Sequence, residues 1–249
     1  MTISIAITGA TGRMGRLISN LVAQSDEFTL HSQLDSSSEL DEMLGADVVI
    51  DVTNYEVSRR VVDFAVQHGS NVVIGTSGWN SGRIAELEST LPEDRGVIVV
   101  PNFSIGSVLG TKLATMAAKL FESVEIIESH HDGKIDSPSG TAVRTAEAIA
   151  AARQAPLEPP FVEQRARGEA VAGVPIHSLR LQGVVADQRV IFGGVGETLE
   201  IRHETLSSEA YAHGILLALQ AAATARGVTV GLEQLLGLDD SDARGSGAQ

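Results

Sequence analysis

The sequence contains no cysteine, so it can form no disulfide bond and offers no thiolate nucleophile or cysteine metal ligand. Long apolar runs are also missing, since none reaches the roughly 18 residues that a membrane-spanning helix needs. The first residues, MTISIAITGATG, lack the basic start and the long apolar core of a secretory signal. Together these absences predict a cytoplasmic protein with no membrane partner.

Positive charge is scarce as well. The 18 lysine and arginine residues face 32 aspartate and glutamate residues, which leaves a net charge of -14. A general nucleic-acid-binding surface needs clustered basic residues to displace counterions, so we expect no nucleic-acid partner. An anionic ligand would need a cationic site built locally, and clusters of lysine, arginine and histidine are the candidates for it.

The N-terminal part of the chain alternates between short strand-like runs and helical patterns. The predicted strands are residues 3–8, 28–34, 46–53, 71–74 and 96–100. The predicted helices between them are residues 14–22, 57–68 and 84–91. Strands and helices that alternate with short connections form parallel sheets with helices on both faces, so we predict an α/β, Rossmann-type domain.

From residue 102 onward the pattern changes. Strand-like runs cover residues 124–129, 177–181, 188–192 and 198–203, and helical patterns cover residues 108–121, 140–152 and 210–226. Residues 154–175, rich in proline, glycine and charge, are predicted as a loop. The strands no longer alternate strictly with helices, which predicts a smaller α+β domain with an open mixed sheet.

A glycine-rich loop joins the first predicted strand to the first predicted helix. It comprises Gly9, Ala10, Thr11, Gly12, Arg13, Met14 and Gly15. Glycines at such a junction permit a tight turn and a close approach to a pyrophosphate, to which the helix N-terminus offers N–H donors. Asp35 ends the second strand about 20 residues further on, where a carboxylate can bind the ribose hydroxyls of a dinucleotide. The alternative is a structural turn followed by a surface aspartate.

The charge of Asp35 also bears on the choice of coenzyme. A carboxylate at this position repels the 2′-phosphate of NADPH, and the neighbouring Ser36 offers no compensating cation. Arg13 is the cation that could reach that phosphate instead. We therefore expect NADH to be preferred and NADPH to be accepted as well.

Two further segments follow predicted strands of the same sheet, at the edge where open α/β sheets bind ligands. The first is Gly75, Thr76 and Ser77, and the second is Val100, Pro101, Asn102 and Phe103. We expect both segments to contact the nicotinamide half of the coenzyme. The alternatives are a plain turn for the first segment and a domain hinge for the second.

The cationic side chains cluster in residues 128–142, which read ESHHDGKIDSPSGTA. His130, His131 and Lys134 lie close together in an otherwise acidic protein. Ser139 is a candidate N-cap for a helix that starts at Gly140 and Thr141, and N–H groups at such a start bind carboxylates. The combination predicts a pocket for a small dianion. The alternatives are solvated histidines and a plain helix start; the spacing typical of metal ligands is missing, so we expect no metal.

Four motifs, GATGRMG, GTSG, PNFS and ESHHDGKIDSPSGTA, occur in the order in which they occur in dihydrodipicolinate reductases. The sequence resembles this family, which reduces 4-hydroxy-tetrahydrodipicolinate in bacterial diaminopimelate and lysine synthesis, from residue 3 to about residue 238. The string from His130 to Ala142 is far more specific than the glycine loop.

The resemblance implies roles for individual residues. His130 matches the acid–base position and Lys134 the proton donor, while His131, Gly140 and Thr141, together with Ser139, match the substrate-binding segment. The glycine loop, Asp35 and the segments 75–77 and 100–103 match the positions that contact NADH or NADPH. The family also implies a homotetramer assembled through the sheet of the second domain.

The sequence departs from the family pattern at several positions. Ser77 stands where family members usually have a second threonine. Residues 186–189 lack the Gly-x-His sequence that many members have there, and Ser208 lies near a position where many members carry an arginine. The loop after Ala152 is also shorter than in many members. Two alternatives stay open: another NAD-dependent amino-acid dehydrogenase, related to aspartate or homoserine dehydrogenase, and a non-catalytic NADH-binding sensor.

We therefore predict two domains. Residues 1–101 and 209–238 form the dinucleotide-binding domain, and residues 102–208 form the domain for substrate binding and oligomerisation. Residues 239–249, DDSDARGSGAQ, are small and polar and are predicted as a disordered tail.

Overall fold

The computed structural model describes residues 2–238, which divide into two compact units. Residues up to 105 and from 211 onward form the first unit, and residues 106–210 form the second. The second unit thus starts and ends a few residues later than the predicted second domain. The predicted disordered tail, residues 239–249, lies outside the described residues.

The secondary-structure elements are numbered in chain order. The strands are β1 (Ile3–Thr8), β2 (Phe28–Leu34), β3 (Val48–Asp51), β4 (Asn71–Ile74), β5 (Gly96–Val99), β6 (Ser123–His130), β7 (Glu169–Val171), β8 (Val174–Arg180), β9 (Ala186–Gly194), β10 (Glu197–Thr205) and β11 (Gly227–Val230). The α-helices are α1 (Arg13–Ala23), α2 (Tyr55–Gln67), α3 (Ser81–Thr90), α4 (Ile105–Ala117), α5 (Gly140–Ala152) and α6 (Ala212–Ala222). Short 3-10 helices cover Leu40–Met43, Arg165–Arg167 and Ser208–Tyr211. Within residues 2–238, no helix combines the length and the apolarity that crossing a bilayer requires.

The first unit is built around a six-stranded sheet in the order β11-β5-β4-β3-β1-β2, in which all neighbours run parallel. Its central strands are short, fully buried runs dominated by valine and isoleucine, as a parallel sheet covered by helices requires. Val61, Val62 and Ala65 of α2 pack with Leu87 of α3 and with alternate strand residues. Helices α1 and α6 contact the sheet and each other. The predicted Rossmann-type sheet is confirmed.

The sixth strand of this sheet, β11, was not predicted. The predicted last helix runs to residue 226, but α6 ends at Ala222 and β11 pairs with β5. Gly227 has a φ of +72° and donates its N–H to the carbonyl oxygen of Arg95 at 2.9 Å, which starts the pairing. Strands β3, β4 and β5 are equally short but fully buried, whereas β11, GVTV, is an edge strand with no fully buried residue and lacks their continuous apolar run.

The second unit contains a five-stranded sheet in the order β10-β9-β6-β8-β7. Strands β6 and β8 run parallel and the other neighbours are antiparallel, so the predicted open mixed sheet is confirmed. Helix α5 packs on one face of this sheet through Ala142, Ala146 and Ile149, which join Ile126 and Phe192 in the core of the second unit.

The predicted loop at residues 154–175 is wrong in its second half. That half contains a 3-10 helix, strand β7 and the start of β8, and β7 and β8 form a hairpin. Ala172 and Gly173 connect the two strands with φ angles of +49° and +84°. Positive φ at both positions is typical of a type I′ two-residue hairpin turn, which usually carries Asn-Gly or Asp-Gly. The Ala-Gly pair lacks this sequence signal.

Candidate active site

The glycine loop connects β1 to α1 in a conformation that side chains would not tolerate. Gly9 has a φ of +79°, and a Cβ atom there would lie 2.7 Å from the carbonyl oxygen of Val52. A side chain at Gly15 would collide with the carbonyl oxygen of Gly9, so α1 approaches the loop closely. Gly12 caps α1 without a side-chain hydrogen bond, which leaves the helix N-terminus to an anion. The loop therefore fits a pyrophosphate.

Asp35 lies directly beyond β2, next to this loop. The N–H groups of Gly9 and Ala10 donate to the carbonyl oxygen of Leu34 at 3.0 and 3.1 Å, which ties the loop to the end of β2. The Ser37 hydroxyl and N–H donate to Asp35 Oδ1 at 2.7 and 2.8 Å, and these hydrogen bonds lower the pKa of the Asp35 carboxyl group. Asp35 is exposed and ionised at neutral pH, so it can accept ribose hydroxyls.

Asp51 connects three strand ends of the first unit from inside the sheet. It is the last residue of β3, is 0% exposed and was not predicted as a site residue. Its carboxylate accepts hydroxyl hydrogen bonds from Thr8 at 2.8 Å, Thr53 at 2.7 Å and Thr76 at 2.5 Å. The Thr53 N–H also donates to the Thr76 hydroxyl at 2.8 Å. The side chain of Thr76, a predicted coenzyme residue, is therefore engaged with Asp51.

The segments 75–77 and 100–103 lie beside each other at the ends of β4 and β5. A Cβ atom at Gly75 would lie 2.6 Å from the ring of Phe103, so the absence of a side chain lets this ring pack there. The Val100 N–H donates to the carbonyl oxygen of Ile74 at 2.8 Å, and Asn102 Oδ1 accepts from the Ser104 N–H at 2.9 Å. Phe103 and Val100 are buried, whereas Ser77 and Pro101 are exposed. The structure thus brings both predicted segments together at one edge of the sheet.

In the second unit, His130 is the last residue of β6 and faces a buried glutamate. His130 Nδ1 lies 2.6 Å from Glu128 Oε2, and the His130 side chain is 17% exposed. Glu128 is 0% exposed and also accepts a hydrogen bond from the Ser139 N–H at 3.2 Å. Burial by itself raises the pKa of Glu128, but hydrogen bonds from His130, Arg180 and Ser178 outweigh it and lower the pKa to about 2. Glu128 is therefore ionised at neutral pH.

Arg180, the last residue of β8, completes this cluster. It pairs with His130 in the register of the parallel strands β6 and β8. Its guanidinium donates to both Glu128 carboxylate oxygens at 3.0 Å, a two-pronged geometry that is favourable for arginine and carboxylate. Two further acceptors are the carbonyl oxygens of Lys134 at 3.2 Å and Asp136 at 2.5 Å. Arg180 therefore ties the strand to the loop that follows β6.

Lys134 lies on that loop. Its ammonium group donates to Asp136 Oδ1 at 2.7 Å, and its N–H donates to the carbonyl oxygen of His131 at 3.1 Å. The hydrogen bond from Lys134 is the main reason why the pKa of Asp136 is lowered, with the Gly140 N–H contributing in the same direction. His131 is exposed on the same loop.

Helix α5 begins where the loop ends. Ser139 is buried and its hydroxyl accepts the Ala142 N–H at 3.2 Å, so the predicted N-cap is confirmed. Gly140 is exposed and Thr141 is half-buried at the first turn. The structure therefore brings His130, Lys134 and the start of α5 together around Glu128 and Arg180.

This arrangement can bind an anion and move a proton. An ammonium group such as that of Lys134 can donate a proton, and an imidazole ring such as that of His130 can act as an acid or a base. The N-terminus of α5 attracts carboxylates. Among residues 2–238, no group of three or more histidine, aspartate and glutamate side chains is arranged to hold a metal ion.

Sequence reasoning missed Asp51, Glu128 and Arg180. Asp51 carries a signal that could have found it, because it is the acidic end of an otherwise apolar buried strand, VVID. Glu128 is one of two glutamates in SVEIIESH, and only the fold shows that it is the buried one. Arg180 carries no such signal, because its role depends on the register between β6 and β8. Ser208, one of the departures from the family pattern, begins a short 3-10 helix and is exposed.

Comparison with known proteins identifies one family for both halves of the chain. Residues 3–103 match the family described as "Dihydrodipicolinate reductase, N-terminus" and residues 106–236 match "Dihydrodipicolinate reductase, C-terminus". A 4-hydroxy-tetrahydrodipicolinate reductase of Clavibacter sepedonicus is 56% identical, over 98% of this chain and 90% of the relative. One of Streptomyces griseus subsp. griseus is 42% identical, over 94% of this chain and 98% of the relative.

A solved structure agrees with these relatives. It is a dipicolinate-bound dihydrodipicolinate reductase from Paenisporosarcina sp. TG-14, with 32% sequence identity and a TM-score of 0.83. The match covers 94% of this chain and 99% of that chain. Agreement of one family over both units favours a reductase over the two alternatives raised by the sequence. The chain belongs to the dihydrodipicolinate reductase family of NAD(P)H-dependent oxidoreductases.

Proposed function

We propose that this chain transfers a hydride from NAD(P)H to 4-hydroxy-tetrahydrodipicolinate, or to dihydrodipicolinate formed from it by loss of water. On either route one proton is taken up and one water molecule is lost overall, and the product is tetrahydrodipicolinate for diaminopimelate and lysine synthesis. The observation that carries the proposal is the cluster of His130, Lys134 and the α5 N-terminus, which brings proton-donating and anion-binding groups together in a protein of net charge -14. The solved relative with bound dipicolinate supports a small dicarboxylate as substrate.

The first unit would hold the coenzyme. The glycine loop, residues 9–15, fits the pyrophosphate, Asp35 would accept ribose hydroxyls, and the segments 75–77 and 100–103 would contact the nicotinamide half. When bound, the reduced nicotinamide supplies the hydride. The exposed negative charge of Asp35 favours NADH, with NADPH accepted as the second coenzyme.

The second unit would hold the substrate and supply the proton. Thr141, Gly140, Ser139 and His131 would bind the two carboxylates, with help from the helix N-terminus. Negative charge that develops on the substrate ring during reduction is stabilised by the nearby cations. Lys134 would donate the proton that completes the reduction, and His130 would take part as acid or base.

We further propose a homotetramer assembled through the second sheet. Support comes from the face of that sheet opposite α5, where the half-buried Ile127 and Ile191 lie beside Arg189. Light scattering of the purified chain tests this assembly, and a monomer at micromolar concentration would contradict it. A cytoplasmic location stays a prediction.

A coupled assay tests the reaction. Pyruvate, aspartate semialdehyde and the synthase that precedes this step generate the substrate in place, and loss of NADH or NADPH absorbance reports its reduction. We expect absorbance loss that requires both the synthase and this chain. Coenzyme binding without turnover would favour the sensor, and turnover of a simple amino acid or hydroxy acid, with none of the dipicolinate precursor, would favour the dehydrogenase alternative.

A further inference from the structure

We infer that Glu128 and Arg180 are positioning residues for the proposed reduction: Glu128 sets which nitrogen of His130 carries a proton, and Arg180 holds the loop of Lys134. The inference rests on the proposed function for its kinetic consequences, but its geometry stands on contacts within the second unit. Neither residue is among those that the family resemblance assigns to the site.

Glu128 is buried with both of its carboxylate oxygens hydrogen-bonded. Its side chain is 0% exposed, and removing a carboxylate from water costs several kcal/mol unless each oxygen has partners. Here Oε2 faces His130 and Arg180, and Oε1 faces Arg180 and the Ser139 N–H. Replacing the whole Glu128–Arg180 ion pair with well-packed apolar side chains would often stabilise a sheet equally well, so stability alone does not explain the pair. The carboxylate instead connects β6, β8 and the start of α5 at one point.

The same carboxylate selects the tautomer of His130. A carboxylate only accepts hydrogen bonds, so the ring nitrogen 2.6 Å from it, Nδ1, must carry a proton. Nε2 is then the nitrogen left to exchange a proton with a substrate or a water molecule. Glu128 thereby fixes both the orientation of the ring and the identity of its reactive nitrogen.

Arg180 uses its full set of donors. A guanidinium has five N–H groups, and five acceptors surround this one. They are the two Glu128 carboxylate oxygens and the carbonyl oxygens of Lys134, Asp136 and Leu179, the last at 2.7 Å. A lysine has three donors in a different geometry and cannot reproduce this set. Arg180 thus fixes the backbone on both sides of Ile135, in the loop that carries Lys134.

The test uses Glu128→Gln and Arg180→Lys in the full-length chain. The amide that Glu128→Gln introduces has only one oxygen, whereas Arg180 donates at both positions. The Ser139 N–H can only donate, so it favours the oxygen at the Oε1 position, and the NH₂ group then faces His130 Nδ1 and favours a proton on Nε2 instead. We expect kcat to fall by roughly 10²–10⁴-fold, as for other histidines forced into the wrong tautomer. Coenzyme Kd, measured by reduced-nicotinamide fluorescence, should change by less than about twofold. For Arg180→Lys we expect a smaller fall in kcat and a higher substrate KM.

Two further measurements separate positioning from general stability. Nitrogen NMR of the His130 ring reports its tautomer without any turnover: we expect the proton on Nδ1 in the unaltered chain and on Nε2 in Glu128→Gln. The matched control is Glu125→Gln, because Glu125 on the same strand forms an equivalent cluster with Arg167 and with His177 at 2.7 Å. We expect the control to keep kcat within about twofold.

Each outcome decides the inference. Unchanged kcat in Glu128→Gln, or an unchanged His130 tautomer, overturns it, as does an equal loss of kcat in Glu125→Gln. If Glu128→Gln does not fold, Arg180→Lys decides by its kcat and KM. If the unaltered chain turns over no dipicolinate precursor, the proposed function fails, whereas the NMR result still tests the positioning of His130.

Discussion

Asp51 in the first unit and Glu128 in the second are both carboxylates with no exposed surface, yet their partners differ in charge. Asp51 is surrounded by the hydroxyl groups of three threonines, which are neutral. Glu128 is surrounded by Arg180, His130 and a backbone N–H. The buried Asp51 is thus satisfied by neutral hydroxyl donors, whereas the buried Glu128 also has a cationic donor, Arg180.

This difference agrees with the ligand that each unit is proposed to hold. In the first unit, backbone N–H groups and the α1 dipole can bind a pyrophosphate without cationic side chains, so the hydroxyl network only has to hold the strand ends. In the second unit, the dicarboxylate and the developing negative charge call for cations. Changes in the first unit should therefore alter coenzyme binding, and changes in the second unit should alter turnover.

The largest effect is expected for Lys134→Ala. Loss of the proposed proton donor should lower kcat by roughly 10²–10⁴-fold, while coenzyme Kd stays nearly constant. Steady-state kinetics and coenzyme titration measure the two quantities. Lys119→Ala, which removes the same charge from an exposed site, is the control and should leave both unchanged. Wild-type turnover in Lys134→Ala would show that this residue is not the proton donor. It would also contradict the expectation that changes in the second unit alter turnover.

Alanine at each buried carboxylate compares the two networks directly. Glu128→Ala leaves the largely buried Arg180 without its counter-ion and should lower the free energy of unfolding by about 3–5 kcal/mol. Asp51→Ala leaves only hydroxyl groups without an acceptor and should cost about 1–3 kcal/mol. Urea denaturation measures both. Equal losses of unfolding free energy in the two variants would show that the charge of the hydrogen-bond partners does not affect the stability of the network.

Asp51→Ala should also weaken coenzyme binding, because the ends of β1, β3 and β4 lose their common acceptor. We expect coenzyme Kd to rise by roughly tenfold, which corresponds to about 1.4 kcal/mol. Glu128→Ala should leave it unchanged. The opposite pattern, with coenzyme affinity lost only in Glu128→Ala, would reverse the assignment of the two units.

Acid should weaken the Glu128 network in a defined pH range. The pKa of Glu128 falls from its ordinary value of 4.5 to about 2 in the folded chain, so its stabilisation is complete above pH 4.5 and is lost as the pH falls towards 2. The full contribution is about 3 kcal/mol. The difference in unfolding free energy between the unaltered chain and Glu128→Gln should shrink over this range. A difference that is constant with pH would contradict the ion pair.

At the surface, we expect an effect on the choice of coenzyme only. Asp35→Asn removes the charge that repels a 2′-phosphate and should raise the ratio of kcat/KM for NADPH over NADH by roughly tenfold. Asp41→Asn removes the same charge from a nearby exposed position and should leave the ratio unchanged. A strong preference of the unaltered chain for NADPH would contradict the role given to Asp35.

Much of the fold could be predicted because its signals are local. Buried valine and isoleucine runs such as those of β3 and β4 predict a parallel sheet, and amphipathic spacing predicts α2. The β7–β8 hairpin and the edge strand β11 were not predicted. The hairpin turn uses Ala172 where asparagine or aspartate is usual, and β11 is an edge strand without the fully buried apolar run of β3 and β4.

For the site, the sequence alone shows which chemical groups are present and which of them lie close together along the chain. One such group is a glycine loop before a helix, and the other is two histidines and a lysine before an N-cap serine. How these groups are held depends on the folded chain. Arg180 follows His130 by about 50 residues, and the pairing of β6 with β8 places it against Glu128. Strand register depends on the packing of whole strands against a common core and not on the residues next to Arg180. Sequence spacing alone therefore could not identify this partner.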